Sequence, residues 1–174
     1  LLPRLHELLE GDWVEVMTNT MGEFATKTLL SEFIDTKTAA SAAAGWDGDA
    51  YTLIESPGNP AARIFAWLSV WDSPEDAEEF AKGFSSAVSA RFKTQPEETG
   101  SVISFRLPAD KGAVYIEFAG PQAIVIQGSP SSLLPRVRSI ILTARKLEMR
   151  ETGFSELLKQ ASGAAVGPPR QPER

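Results

Sequence analysis

A chain of 174 residues, 43% apolar and 23% charged, can bury one sizeable core. Its net charge of -6 argues against a nucleic-acid partner, because phosphate binding needs a clustered excess of Lys and Arg. The absence of Cys excludes disulfides, thiol catalysis and thiolate metal sites together, and no apolar run approaches the roughly 18 residues of a membrane helix. The opening LLPRLHELLEG has no basic n-region, long apolar core or small-residue cleavage site, so it does not read as a signal peptide; for an exported protein the signal is expected upstream.

Composition divides the chain into a single domain over 1–160 and a Pro-rich stretch, ASGAAVGPPRQPER at 161–174, expected to be a flexible tail. There is no internal repeat. The first clear helix is expected from Thr20, where Thr20 and Glu23 have capping-box spacing and Phe24, Leu29, Leu30, Phe33 and Ile34 supply an apolar face. A second helical stretch, TKTAASAAA at 36–44, ends at Gly45, which suits the left-handed position past a helix terminus. AYTLIES at 50–56 has strand character, and PGNP at 57–60 is loop punctuation.

RIFAWLSVW at 63–71 places Phe65, Trp67, Ser69 and Trp71 on one side and Ile64, Ala66, Leu68 and Val70 on the other. Both sets are mostly apolar, which predicts a central strand covered on both faces. A helix follows at once: Ser73 is the cap, Pro74 opens the first turn, and Asp76 closes a capping-box-like pair. Its stripe is Ala77, Phe80, Ala81, Phe84 and Val88. Beyond it, 101–107, 113–119 and 123–127 read as a meander of short strands, then helices over 131–145 and 154–160. The sum is an α+β domain: a largely antiparallel sheet of about five strands with packed helices.

Motifs that carry chemistry are few. HELLE at 6–10 begins like the zinc-binding HExxH motif, but Glu10 stands where the second His belongs and His6 is the only His, so a solvated helix face is the expected reading. No Ser sits in G-x-S-x-G, and carboxylate neighbours such as Asp72, Glu75 and Asp76 are explained by helix capping. No catalytic residue and no metal ligand are therefore assigned.

AAAGWDGDAY at 42–51 is the remaining candidate. Asp47 and Asp49 form a D-x-D pair in a Gly-containing turn, a fragment of a calcium loop that would need roughly 6 to 8 oxygen ligands. The favoured alternative is that both accept hydrogen bonds from turn amides before a strand starting at Ala50. Trp46, Trp67 and Trp71 can converge near this turn, either as a ligand-binding aromatic cluster or, the preferred reading, as core.

MGEFATKTLL, AAAGWDGDAYTLIE and FAWLSVWDSPEDAEEF together resemble the C-terminal domain of a group of extracytoplasmic bacterial and archaeal zinc metallopeptidases or surface lipoproteins. The matching positions are Gly22 and Glu23, then Gly45, Trp46, Gly48 and Asp49, then Trp71, Asp72, Ser73, Asp76, Ala77 and Phe80. Ala50 departs from the basic residue usual after the Gly-Asp pair, and the HExxH-bearing segment has no counterpart in this sequence. The resemblance implies a non-catalytic accessory or protein-interaction domain outside the cytoplasm, with a protein partner or adjacent domain. The alternatives are a small-ligand or calcium-binding module built on Gly45 to Tyr51 and the Trp cluster, or part of a metallopeptidase whose catalytic segment lies elsewhere.

Overall fold

A computed structural model describes residues 2–108 and 111–144. Its elements in chain order are α1 (Leu5–Leu8), β1 (Val14–Asn19), α2 (Gly22–Ser31), α3 (Thr36–Ser41), β2 (Trp46–Ser56), β3 (Asn59–Trp71) and α4 (Pro74–Phe92). Then come β4 (Glu97–Thr99), β5 (Val102–Arg106), β6 (Ala113–Ala119), β7 (Gln122–Ser129), a 3₁₀ turn at Ser131–Leu133 and α5 (Leu134–Ile141). The strands form one sheet in the order β1-β2-β3-β7-β6-β5-β4, every neighbouring pair antiparallel. The α+β class and the antiparallel sheet are as expected, but the sheet has seven strands rather than about five.

β3 lies near the middle, between β2 and β7, and its alternation separates two cores. Trp67 and Trp71 pack with Ala77, Phe80, Ala81 and Val88 of α4, so α4 covers one face. Ile64 and Ala66 pack with Leu134, Val137 and Ile141 of α5 and with Leu5 of α1, which cover the other. Leu30 of α2 and Ala39 of α3 close a third cluster with Ala87 of α4. Small residues set that spacing: a Cβ at Gly83 would stand 2.5 Å from the Cβ of Ala42, so Gly83 permits α4 to approach the residues that follow α3.

The start of α4 matches its sequence signals. Ser73 Oγ accepts from the Asp76 amide at 3.1 Å and donates to Asp76 Oδ2 at 2.6 Å, and Pro74 occupies the first turn. A cap of this kind contributes about 1 kcal/mol. The start of α2 does not match. The helix begins at Gly22 with Met21 at the cap position and no capping hydrogen bond from a cap side chain, so Thr20 and Glu23 form no capping box. Phe24, placed on the apolar face by its spacing, is 82% exposed. β2 begins at Trp46, so Asp47 to Asp49 lie inside a strand rather than in a turn before Ala50. Gly45 does take the left-handed conformation, φ +76°. The last strand runs longer than expected, to Ser129, and the helical stretch from Ser131 opens as a 3₁₀ turn. The helix itself stops at Ile141, short of the expected Arg145, with Leu142 as its cap; Arg145, the 154–160 helix and the 161–174 tail lie outside the described residues.

An ion pair fastens α5 to the sheet. Arg138 donates from Nε to Glu117 Oε2 at 2.5 Å and from Nη2 to Glu117 Oε1 at 2.6 Å, and the Tyr115 hydroxyl donates to Glu117 Oε2 at 2.9 Å. The hydrogen bond from Arg138 outweighs desolvation and holds the Glu117 carboxyl below the usual carboxylate range. Burial and the neighbouring Glu117 push the Tyr115 phenol up. A depressed carboxyl stabilises the fold above its unfolded pKa, about 4.3 for Glu, and that stabilisation disappears as pH falls through the lower folded value. The pair is partly solvated, so its contribution is about 1 kcal/mol. Glu117→Gln should therefore lower the urea midpoint at pH 7 and make no difference at pH 2. Equal destabilisation at both pH values would show that the charge is not what matters.

Candidate functional site

The chemistry-bearing residues of 42–51 meet around one carboxylate. Asp49 Oδ2 accepts from the Met21 amide at 2.7 Å and from Trp67 Nε1 at 2.8 Å; Oδ1 accepts from the Gly22 amide at 3.0 Å and from Trp46 Nε1 at 3.1 Å. Two of these donors are the first amides of α2, which a helix cannot satisfy internally and which carry the positive end of its dipole. Asp49 thus caps α2 from a strand 27 residues away in sequence.

Backbone geometry makes this meeting possible. In a regular strand Trp46 and Asp49, three residues apart, would face opposite sides. The register shifts between Trp46 and Gly48, where Gly48 has φ +149°, and this bulge brings the Trp46 indole and the Asp49 carboxylate to the same face. Gly45 makes the neighbouring junction. Its carbonyl accepts from the Asp72 amide at 2.7 Å, and a Cβ there would stand 2.7 Å from Asp76 Cγ, so the start of β2 lies directly against the cap of α4.

Trp46, Asp49 and Trp67 are therefore joined by hydrogen bonds. Trp71 stacks on Phe80 at 4.7 Å, and its indole donates to Ser69 Oγ at 2.9 Å. Trp67 and Trp71 are 1% and 2% exposed, and Asp47 is exposed on β2. A carboxylate offers about four acceptor positions, and at Asp49 four N–H groups take them. A cation there would face N–H hydrogens instead of oxygen ligands. Asp49 accepts from backbone amides, as favoured from sequence, but from the entry to α2 rather than from its own loop.

The HELLE segment forms only the short α1. His6 Nε2 lies 3.8 Å from Glu7 and Nδ1 lies 3.8 Å from Glu15. Among the described residues no group of three or more His, Cys, Asp or Glu is placed to hold a metal ion.

Two features escaped the sequence. The first is an apolar pocket of about 250 Å3 between α2, α4 and the sheet, with Leu30, Phe33, Phe65, Phe84, Val88 and Phe92 among its walls. The signal was present: Arg91 and Phe92 follow Phe84 by seven and eight residues and so extend the stripe of α4 by two turns. The second is β1, an edge strand whose six residues are all exposed.

A family model described as a domain of unknown function, DUF8575, matches residues 8–138, well over half of the chain. The chain belongs to the DUF8575 family. The matched span runs from α1 to Arg138 of α5, so it contains the Asp49 hub, the pocket and the whole sheet of this DUF8575 domain. No curated protein and no solved structure matches the chain. No helix among the described residues is long and apolar enough to cross a membrane.

Proposed function

We propose that this DUF8575 domain is a non-catalytic accessory or protein-interaction domain that holds a partner protein or neighbouring domain on the edge of β1 that no described strand pairs with. The observation that carries this reading is the contrast between the two ends of the sheet. Edge strands expose unpaired N–H and C=O groups, and proteins usually blunt them by shortness, charge or Pro. β4, at one edge, has three residues, two of them acidic. β1, at the other, has six residues and no Pro, with Glu15 its one charge and a register shift between Glu15 and Met17, and Val14, Val16 and Met17 are 42%, 48% and 48% exposed. Phe24, in the first turn of the following helix, adds a further exposed aromatic. An extended segment added to such an edge gains main-chain hydrogen bonds and side-chain contacts together.

The resemblance of Gly45 to Asp49 and Trp71 to Phe80 to the C-terminal domain of zinc metallopeptidases and surface lipoproteins supports an accessory role and a setting at the cell envelope. A photocrosslinking residue in place of Val16, with the same residue in place of Glu98 as the opposite-edge control, tests the reading in the native host. A defined cross-linked protein at position 16, absent at 98, and loss of that product when Met17→Lys is added, are expected. No product at position 16, or the same product at both edges, would overturn it.

A further inference from the structure

The pocket beneath α2 and α4 has a polar opening of one sign. A second hollow of about 330 Å3 shares Phe65, Arg91, Phe92 and Gln127 with it and is further lined by Arg63 and Lys111. Arg91 thus stands on the wall that the two hollows share and Arg63 and Lys111 line the adjoining one, in a chain whose acids outnumber its bases by 23 to 17. Arg63 pairs with Glu55 at 3.2 Å. The other two have no carboxylate partner among the described residues: Arg91 lies over the rings of Phe33 and Phe92 at 5.4 and 5.0 Å, and Lys111 lies over Phe92 at 5.6 Å. Gln127, on the wall of both hollows, makes no side-chain hydrogen bond to the described residues.

Aromatic faces hold a cation in place without neutralising it, because the ring carries a quadrupole and no net charge. Arg91 and Lys111 are therefore positioned by Phe33 and Phe92 and remain available to an anion. We propose that this site binds an amphipathic monoanion, with an alkyl body of medium length between α2, α4 and β3 and its carboxylate at Arg91, Lys111 and the Gln127 amide. Size limits the ligand. A pocket of about 250 Å3 lies just below the usual range of ligand sites, about 300 to 1,000 Å3, so one short chain fits and a two-chain lipid does not. The head group selects the sign, since a cationic head would meet Arg91 and Lys111, whose charges no described carboxylate offsets.

The test is calorimetric titration of the full chain with decanoate, decanol and decyltrimethylammonium, each below its micellar concentration. Saturable one-to-one binding of decanoate is expected, with the trimethylammonium compound at least about tenfold weaker. Arg91→Gln should weaken decanoate about tenfold, the loss of one charge-assisted contact, and leave decanol unchanged. Arg91 is exposed, so this variant should keep the melting temperature of the parent. Ala87→Met, which fills the apolar pocket from α4, should abolish binding of decanoate and decanol alike. If that variant is destabilised, Arg91→Gln alone decides. The proposal fails if decanoate gives no saturable heat, if the three head groups bind equally, or if Arg91→Gln leaves decanoate binding unchanged.

Discussion

Asp49→Asn should destabilise the domain by about 2 to 4 kcal/mol, because hydrogen bonds to a charged acceptor contribute about 1.5 to 3 kcal/mol each and an unsatisfied donor costs a further 1 to 3. Asn has nearly the shape of Asp but only one oxygen. Whichever way its amide is turned, one of the two donor pairs, Met21 N–H with the Trp67 indole or Gly22 N–H with the Trp46 indole, meets an NH₂ group. For a domain of this size the melting temperature should fall by roughly 5 to 15 °C. The loss should be localised: faster hydrogen exchange at the first amides of α2 and a change in the near-ultraviolet signal of Trp46 and Trp67. An Asn variant within 0.5 kcal/mol of the parent would mean that the four donors find other partners and that the hub is incidental.

The second large effect is expected at Phe80. This side chain is 0% exposed, stacks on Trp71 at 4.7 Å, and meets Trp67 edge-on at 5.1 Å and Phe84 at 5.8 Å. Phe80→Ala removes a ring from the centre of the α4–sheet interface, and such deletions cost about 3 to 5 kcal/mol from lost transfer energy and the cavity left behind. Phe24→Ala, the same chemical change at a position 82% exposed, should fall within about 0.5 kcal/mol of the parent. Urea denaturation of the two variants side by side checks both. A small effect at Phe80 would show that the Trp–Phe cluster repacks around the void.

These two phenylalanines also mark what sequence could and could not reveal. Phe80 belongs to a stripe backed by a cap, a Pro in the first turn and a preceding strand apolar on both faces, so several local signals agree. Phe24 had only spacing behind it. The Thr20 and Glu23 spacing gives way to a cap from Asp49, three of whose donors lie 27, 28 and 18 residues away, separations that are set by tertiary structure. Residues 46–49 read as a turn because Gly and Asp favour turns, yet the same residues make a bulge inside β2. β1 was missed for the reason that makes it of interest: VEVMTN buries neither face fully, so it shows no inward stripe. β4 has only three residues, too few for any periodicity. The pocket requires α2, α4 and the sheet to be assembled, although Phe84, Arg91 and Phe92 on one helical stripe hinted at it.

The strand order has a consequence for how the chain assembles. β1, β2 and β3 pair only with strands adjacent in sequence, and so do β4, β5, β6 and β7, except at the seam where β3 meets β7 over eight residue pairs, Arg63 with Ser129 through Val70 with Gln122. The β2–β3 pair and the β4 to β7 meander are closed by short connections, whereas β1 meets β2 across residues 32 to 41 apart, and β3 meets β7 across residues 52 to 66 apart, the largest loop-closure cost in the sheet. α4, which follows β3 along the chain, packs back on β6 and β7 and so shortens the effective loop that this ladder has to close.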